Sequence, residues 1–241
     1  MTTLASVIDT YLGCIRPKEN LIPMTIHFDE TDDRKFRVSD AGRCRLYRYW
    51  KRQGKERQQP DAKGLRIMEV GNIYHAWLSY ALHESGVLLD SEIEVENEHC
   101  KGHADVFVNV DGQYILYDLK TISSKQAGYM LSNGCKVKKE HAYQVLSYYM
   151  MMDKGEIFTK DQRTTCLIMP HECRIAYITR EEMEIIAEIP VDQDLLPHVK
   201  KDWQILISAW KKQEEPQANP EAWECKFCPY KATCNKSVFL A

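Results

Sequence analysis

Apolar residues recur with helical spacing in two long segments of the chain, and strand-like segments lie between them. Residues 65–84 and 140–152 have the helical pattern, and Gly86 follows the first helix as a stop signal. The strand-like segments comprise residues 92–98, 102–110 and 113–121. Helix, three strands and helix in this order indicate an α/β fold around a mixed central sheet.

Weaker patterns cover much of the remaining chain. Residues 40–51 predict a basic helix, and residues 164–169 and 174–179 predict two further strands. Residues 181–212 are expected to be largely helical, with interruptions at two prolines. The pattern therefore predicts helices on both sides of the sheet.

The chain is expected to form one main core with a smaller segment at each end. Its 241 residues suffice for a well-buried domain. We expect a basic helical segment at residues 1–60, the core at 61–212, and a linker with a cysteine-rich region at 213–241. That last region is too short to fold without a covalent or metal staple.

Composition is that of an ordinary globular protein, with 44% hydrophobic and 28% charged residues. No apolar run approaches the roughly 20 residues of a membrane span. The N-terminal residues lack the basic start and apolar centre of a secretory signal. We therefore expect a cytoplasmic protein without a membrane partner.

Basic residues are concentrated in one part of the chain, although the formal net charge is −3. Between Arg34 and Arg57 there are ten Lys or Arg residues and only two acids. Such a run is either a solvated helix face or a surface that contacts nucleic-acid phosphates. The candidate DNA contacts are Arg43, Arg45, Arg48 and Arg52.

A hairpin carries the most informative residues. Asp111-Gly112 is a strong turn signal, and a two-residue turn places Asp105 directly opposite Asp118. Lys120 shares the face of Asp118, because side chains alternate along a strand. The opposite face receives an apolar set suited to a core, namely Ala104, Val106, Val108, Ile115, Tyr117 and Leu119.

Two opposed carboxylates repel each other unless a cation lies between them. Mg²⁺ or Mn²⁺, which prefers oxygen ligands, would relieve the conflict. Lys120 could then reach an attacking water or the charge that develops on a phosphate. The alternative is a pair of solvated surface acids on an edge hairpin.

Two helices carry residues that sequence alone would assign to structure. Gly71, His75 and two leucines share one helix face, where the small glycine would permit close approach, and a lone histidine there is usually part of the core. Gln144 and Tyr148 lie one turn apart on the later helix, and His141 is on the same side.

Taken in order, these motifs resemble the RecB-like branch of the PD-(D/E)XK nuclease superfamily, and especially its CRISPR-associated iron–sulfur exonucleases. The motifs are Gly71-x-x-x-His75, Gly102-x-x-Asp105, Asp118-x-Lys120 and Gln144-x-x-x-Tyr148. The resemblance covers about residues 38–234. It implies a restriction-endonuclease-like sheet flanked by helices, with a C-terminal iron–sulfur staple.

The same resemblance implies roles for the motif residues. His75, Asp105, Asp118 and the backbone carbonyl of Leu119 would bind the metal. Lys120 would be catalytic, and Gln144 and Tyr148 would hold the site or contact DNA. The CRISPR-associated relatives commonly have Glu where this chain has Asp118, whereas Asp is usual in the wider RecB-like group.

Nine cysteines are many for such a chain, and an odd number argues against a closed set of disulfides. Cys225, Cys228 and Cys234 have ligand-like spacing, and Cys44 is the best fourth ligand. Four thiolates suit a [4Fe-4S] cluster, which the resemblance favours, or a structural zinc ion as the alternative. The other cysteines have no ligand spacing, and they are Cys14, Cys100, Cys135, Cys166 and Cys173.

These features predict a Mg²⁺- or Mn²⁺-dependent deoxyribonuclease that acts at single strands or DNA ends. The resemblance implies end trimming during CRISPR adaptation, with an integrase as a partner. A viral or mobile-element exonuclease of recombination or repair is one alternative, and a DNA-binding module with a silent site is another. Strand polarity and the formation of a homo-oligomer stay open.

Overall fold

The computed structural model describes residues 2–13, 34–152 and 168–235. Single 3-10 turns lie at Val38–Asp40 and Gln193–Leu195. The helices and strands are, in chain order, α1 (Leu4–Gly13), β1 (Phe36–Arg37), α2 (Arg45–Gln53), α3 (Ala62–Glu84), β2 (Leu88–Glu96), β3 (Cys100–Val110), β4 (Gln113–Ile122), α4 (Ser124–Ser132), α5 (Lys139–Met152), β5 (Glu172–Thr179), β6 (Ile185–Pro190), α6 (Leu196–Lys212) and α7 (Ala222–Phe227).

The strands form one mixed six-stranded sheet. β2, β3 and β4 are antiparallel neighbours, β4 and β5 pair in parallel, and β6 closes the far edge antiparallel to β5. The parallel pairing follows from the crossover through α4 and α5, because parallel strands need a long connection. The predicted mixed sheet flanked by helices is confirmed.

The sheet divides into a fork along β3. One edge of β3 pairs with β2, while its other edge pairs with β1 at Cys100–Lys101 and with β4 at Val106–Val110. Between these two pairings, residues 102–105 have no strand partner on that edge among the described residues. β4 leaves β3 at this gap and continues beside β5.

Both faces of the sheet are covered by helices. On one face, Leu78 and Leu82 of α3 and the apolar side of α1 pack against the strands. On the other face, α2, α5 and α6 contribute aromatic and aliphatic residues, including Val145 and Trp203. Each fully buried leucine contributes roughly 2–5 kcal/mol relative to alanine, so these two layers fix the strands that carry the fork.

The predicted apolar face of the hairpin is largely confirmed. Ala104 differs from the prediction, because it belongs to the core on the other face of the sheet. The remaining members pack against α1 and α3 as expected, and they are Val106, Val108, Ile115, Tyr117 and Leu119.

Several element predictions were wrong in their extent. The helix predicted within residues 181–212 is confirmed only for Leu196–Lys212, because Ile185–Pro190 is an edge strand whose β-branched residues suit a sheet. The predicted basic helix begins only at Arg45, with Cys44 as its N-cap. The polar connection after β4 contains α4, which Ser123 and Gln126 start with a capping box.

Two further observations complete the comparison with the predicted elements. The strand predicted at residues 164–169 lies mostly outside the described residues. In the part of the chain that the structure describes, no helix has the combined length and hydrophobicity of a membrane span.

Candidate active site at the fork of the sheet

The hairpin has the predicted register. Val106 pairs with Tyr117 and Val110 with Gln113, which places Asp105 and Asp118 next in line. The ladder ends before that pair, and the carboxylate of Asp105 instead accepts a hydrogen bond of 2.6 Å from the backbone N–H of Leu119. The strands therefore separate at the two aspartates and leave room between them.

Lys120 is held by two side chains. Its Nζ donates to Asp118 Oδ1 at 3.0 Å and to Gln144 Oε1 at 3.0 Å. Gln144 Nε2 in turn donates to the hydroxyl of Tyr148 at 3.2 Å. The structure thus brings these four predicted residues together as one hydrogen-bonded chain from β4 to α5.

His75 reaches the fork from α3. Its Nε2 lies 3.0 Å from the carbonyl oxygen of Leu119, and its Nδ1 lies 3.7 Å from Asp105 Oδ1. Three of the ligands that the resemblance implies, namely His75, Asp105 and the carbonyl of Leu119, are therefore adjacent. Gly71 is not needed for this approach, because an added Cβ would meet Thr121 Oγ1 at an ordinary 3.6 Å.

The glycine that does require its small size is Gly102. A Cβ there would lie 2.9 Å from Val38 Cβ and 3.0 Å from Tyr148 Cε1. Because neither neighbour is a freely moving chain end, a side chain at this position would push the Tyr148 ring away. The glycine of the Gly-x-x-Asp motif therefore lets Tyr148 pack into the gap of the fork.

Burial dominates the electrostatics of the site. Asp118 is fully buried, and burial raises its pKa to about 7, with Asp105 adding to the rise and Lys120 opposing it. Burial alone would lower the pKa of Lys120, but the two aspartates together raise it, so the ammonium stays charged. Asp118 Oδ2 lies 2.8 Å from Lys120 Nζ yet makes no hydrogen bond of acceptable angle.

Sequence reasoning missed Glu92. Ligand atoms of His75, Glu92 and Asp105 all lie within 4.8 Å of one another, and they form the only such group among the described residues. Glu92 stood at the start of a predicted strand with nothing to distinguish it from Glu94 or Glu96. Only its register against β3 would have revealed it.

The four predicted cluster cysteines also converge. Cys44, Cys225, Cys228 and Cys234 line one cavity, and none is in a disulfide. Of the cysteines without ligand spacing, Cys100, Cys135 and Cys173 lie away from this cavity, and Cys14 and Cys166 lie outside the described residues.

The tail that carries three of these cysteines is fastened to α2. Glu224 accepts a hydrogen bond from the Cys44 N–H at 3.0 Å. The Tyr230 ring lies edge-on to Tyr47 and Trp50, with centroids 5.9 and 5.5 Å away. These contacts bring the remote Cys44 to the cysteine-rich region.

The predicted DNA-binding arginines do not form a common surface. Arg45 and Arg48 both pair with Asp202 of α6, and Arg48 is only 2% exposed. Arg52 lies over the rings of Phe36 and Trp210. Arg48 is therefore fixed inside the protein and cannot contact a phosphate without unfolding, because it is needed to neutralise a buried aspartate.

Arg43 and other basic residues of the segment are partly or fully exposed at the surface. Arg43 lies over the Tyr47 ring near Glu224 and is partly exposed. A concave surface next to it is lined by Arg34, Lys35, Lys51, Lys55 and Arg57.

Comparison with known families matches residues 43–235 to the PD-(D/E)XK nuclease superfamily, and the chain belongs to that superfamily. Nucleases of this superfamily use divalent metals. The crystal structure of SSO0001 has a similar fold, with a TM-score of 0.53 and 18% identity over 98% of this chain and 95% of that one. An alkaline exonuclease (LHK-Exo) from Laribacter hongkongensis has a TM-score of 0.50 and 12% identity, covering 75% of this chain and 89% of its own. No curated protein matches the chain.

Proposed function

We propose that the protein is a Mg²⁺- or Mn²⁺-dependent deoxyribonuclease that acts at single strands or DNA ends. The observation that carries the proposal is the fork, where Asp105, Asp118 and Lys120 meet beside His75. Carboxylate oxygens, a backbone carbonyl and one imidazole suit a hard or borderline divalent ion. The residues present therefore fit the metal that the superfamily uses.

Each side chain has a distinct part in this mechanism. His75, Asp105, Asp118 and the carbonyl of Leu119 would hold the ion, which supplies an activated water and neutralises charge on the scissile phosphate. Lys120 keeps its proton because of the adjacent aspartates, so its ammonium can stabilise charge that develops on the phosphate. Gln144 and Tyr148 orient Lys120 through their hydrogen bonds.

We further propose that the four cysteines hold a [4Fe-4S] cluster. Their convergence on one cavity supports a shared inorganic group. Four thiolates on one zinc ion would be about 3.8 Å apart, given Zn–S bonds of about 2.3 Å in a tetrahedron. The four cysteines of this cavity, which all belong to the described residues, do not form a group of three or more with ligand atoms within 4.8 Å of one another, which favours the larger cluster over zinc.

The biological setting that we propose is trimming of DNA ends during CRISPR adaptation, together with an integrase. It rests on the combination of the nuclease motifs with the cysteine set. A recombination or repair exonuclease of a virus or mobile element has the same chemistry, and the neighbouring genes would separate the two. A silent DNA-binding module is disfavoured by the intact Asp105, Asp118 and Lys120.

The test is metal-dependent cleavage of single-stranded and duplex DNA under single-turnover conditions. Asp118→Ala should abolish cleavage, and Lys120→Ala should lower the rate by orders of magnitude while metal still binds. Lys125→Ala, an exposed substitution on α4, is the matched control and should cleave like the parent. Parental activity in either site variant would show that the active site lies elsewhere.

A further inference from the structure

We propose that Glu92 is a further metal ligand of the nuclease site, completing a set that the four sequence motifs leave short. This inference rests on the proposed metal-dependent nuclease function. It concerns a residue outside all four motifs, on the strand that borders the fork from the opposite side of β3.

Glu92 is placed beside Asp105 by the sheet. Ser91 pairs with Val106 and Ile93 with Ala104, so Glu92 lies between them, next to Asp105 in the register. Glu92 Oε1 is 4.0 Å from His75 Nδ1, which is itself 3.7 Å from Asp105 Oδ1.

These separations match one coordination sphere. For an octahedral ion with ligands at about 2.1 Å, adjacent ligands are about 3.0 Å apart and opposite ligands about 4.2 Å apart. Both measured distances fall between these limits. They are too long for hydrogen bonds, so a direct bond between Glu92 and His75 does not account for the arrangement.

With Glu92 counted, the charge of the site is the one that a single divalent cation would neutralise. Asp105, Asp118 and Glu92 carry three negative charges when ionised, and Lys120 contributes one positive charge. The remainder is the charge that one divalent cation would neutralise, with His75 as a neutral ligand.

The backbone conformation of Glu92 is strained, and this strain supports a functional role for the residue. Its φ of 50° lies in the left-handed region, which costs a side chain such as glutamate roughly 1–2 kcal/mol. A register irregularity lies between Leu88 and Asp90, and Asp90 is two residues before Glu92. Glycine at this position would not be strained. Glutamate therefore makes the metal-free protein less stable than glycine would.

The experiment measures Mn²⁺ binding to the full-length protein by electron paramagnetic resonance and calorimetry. Glu92→Gln keeps the shape but removes the charge, and its affinity for Mn²⁺ should fall at least tenfold. Glu94→Gln, on the same strand, is the matched control and should bind like the parent. Asp118→Asn should also lose affinity, because it is a ligand of the proposed function itself.

A second variant separates binding from folding. Glu92→Gly should melt at a higher temperature than the parent in chelator, because the strain is relieved, yet show less stabilisation when Mn²⁺ is added. If the parent, Glu94→Gln and Glu92→Gln all bind Mn²⁺ equally, Glu92 is not a ligand and only this inference fails. If the parent itself binds no Mn²⁺ or Mg²⁺, the proposed nuclease function fails with it.

Discussion

His141 lies on α5 beside the nuclease site, and its Nδ1 is 2.9 Å from the hydroxyl of Tyr177. Burial, together with the positive charges of Lys120 and Lys138, lowers its pKa from 6.5 to about 2. The imidazole therefore stays neutral, and Lys120 provides a positive charge next to the aspartates. This neutrality makes folding stability dependent on pH.

The sign of that dependence follows from proton uptake. Above pH 6.5 His141 is neutral in both the folded and the unfolded chain, so its burial is fully tolerated. Below pH 6.5 only the unfolded chain takes up the proton, and stability is lost as the pH falls toward 2. Between pH 6.5 and 4.5 the loss amounts to about 2.3 kcal/mol, because the slope reaches about 1.36 kcal/mol per pH unit only below the pKa of the unfolded chain.

Replacing His141 by glutamine should remove this share of the acid sensitivity. Urea unfolding in chelator at pH 7 and pH 4.5 would give the loss of unfolding free energy for parent and variant. We expect the parent to lose about 2–3 kcal/mol more than His141→Gln. His83→Gln, an exposed substitution in the last turn of α3, is the control and should lose as much as the parent. Equal losses in His141→Gln and the parent would refute the neutral buried imidazole.

Three further predictions concern the cysteines, the basic surface and the buried aspartate. Anaerobically purified protein should be brown, and each of Cys44→Ala, Cys225→Ala, Cys228→Ala and Cys234→Ala should remove its visible absorption while Cys135→Ala does not; a colourless protein with stoichiometric zinc would contradict the cluster. Neutralising Lys51, Lys55 and Arg57 should reduce the slope of log affinity for DNA against log salt concentration by roughly 0.7–0.9 for each lost phosphate contact. Lys200→Gln should leave this slope unchanged, and fluorescence titrations would measure both. Asp118→Asn should raise the melting temperature in chelator at pH 8, because a buried charge with a raised pKa is removed, and a lower temperature would contradict that account.

The hairpin and its chemistry could be predicted because they depend on local rules. A two-residue turn determines the register of β3 and β4, and strand alternation then puts Asp118 and Lys120 on one face. The helical spacing of Gln144 and Tyr148 similarly placed both on one side of α5. Such relations span few residues, so a single sequence contains them.

The features that were missed depend on distant parts of the chain. Glu92 becomes distinct only when β2 is aligned with β3, and the burial of Arg48 only when Asp202 of α6 is brought against it. The sequence of Ile185–Pro190 does not distinguish helix from strand, because a short apolar run has no decisive period, and pairing with β5 selects the extended form. In all three cases, contacts between elements that are distant in sequence determine the structure.

The fork of the sheet has a consequence for where the functional unit begins. β1 closes the fork at Cys100–Lys101, although it lies more than 60 positions upstream in the chain. The part that matches the superfamily starts at residue 43, after β1. A protein shortened to that boundary would retain every motif residue, yet β3 would lose the neighbour that continues its edge beyond the gap. Backbone N–H and C=O groups on the edge of β3 beside the site would then have no hydrogen-bond partner. Such an exposed strand edge can pair with another chain.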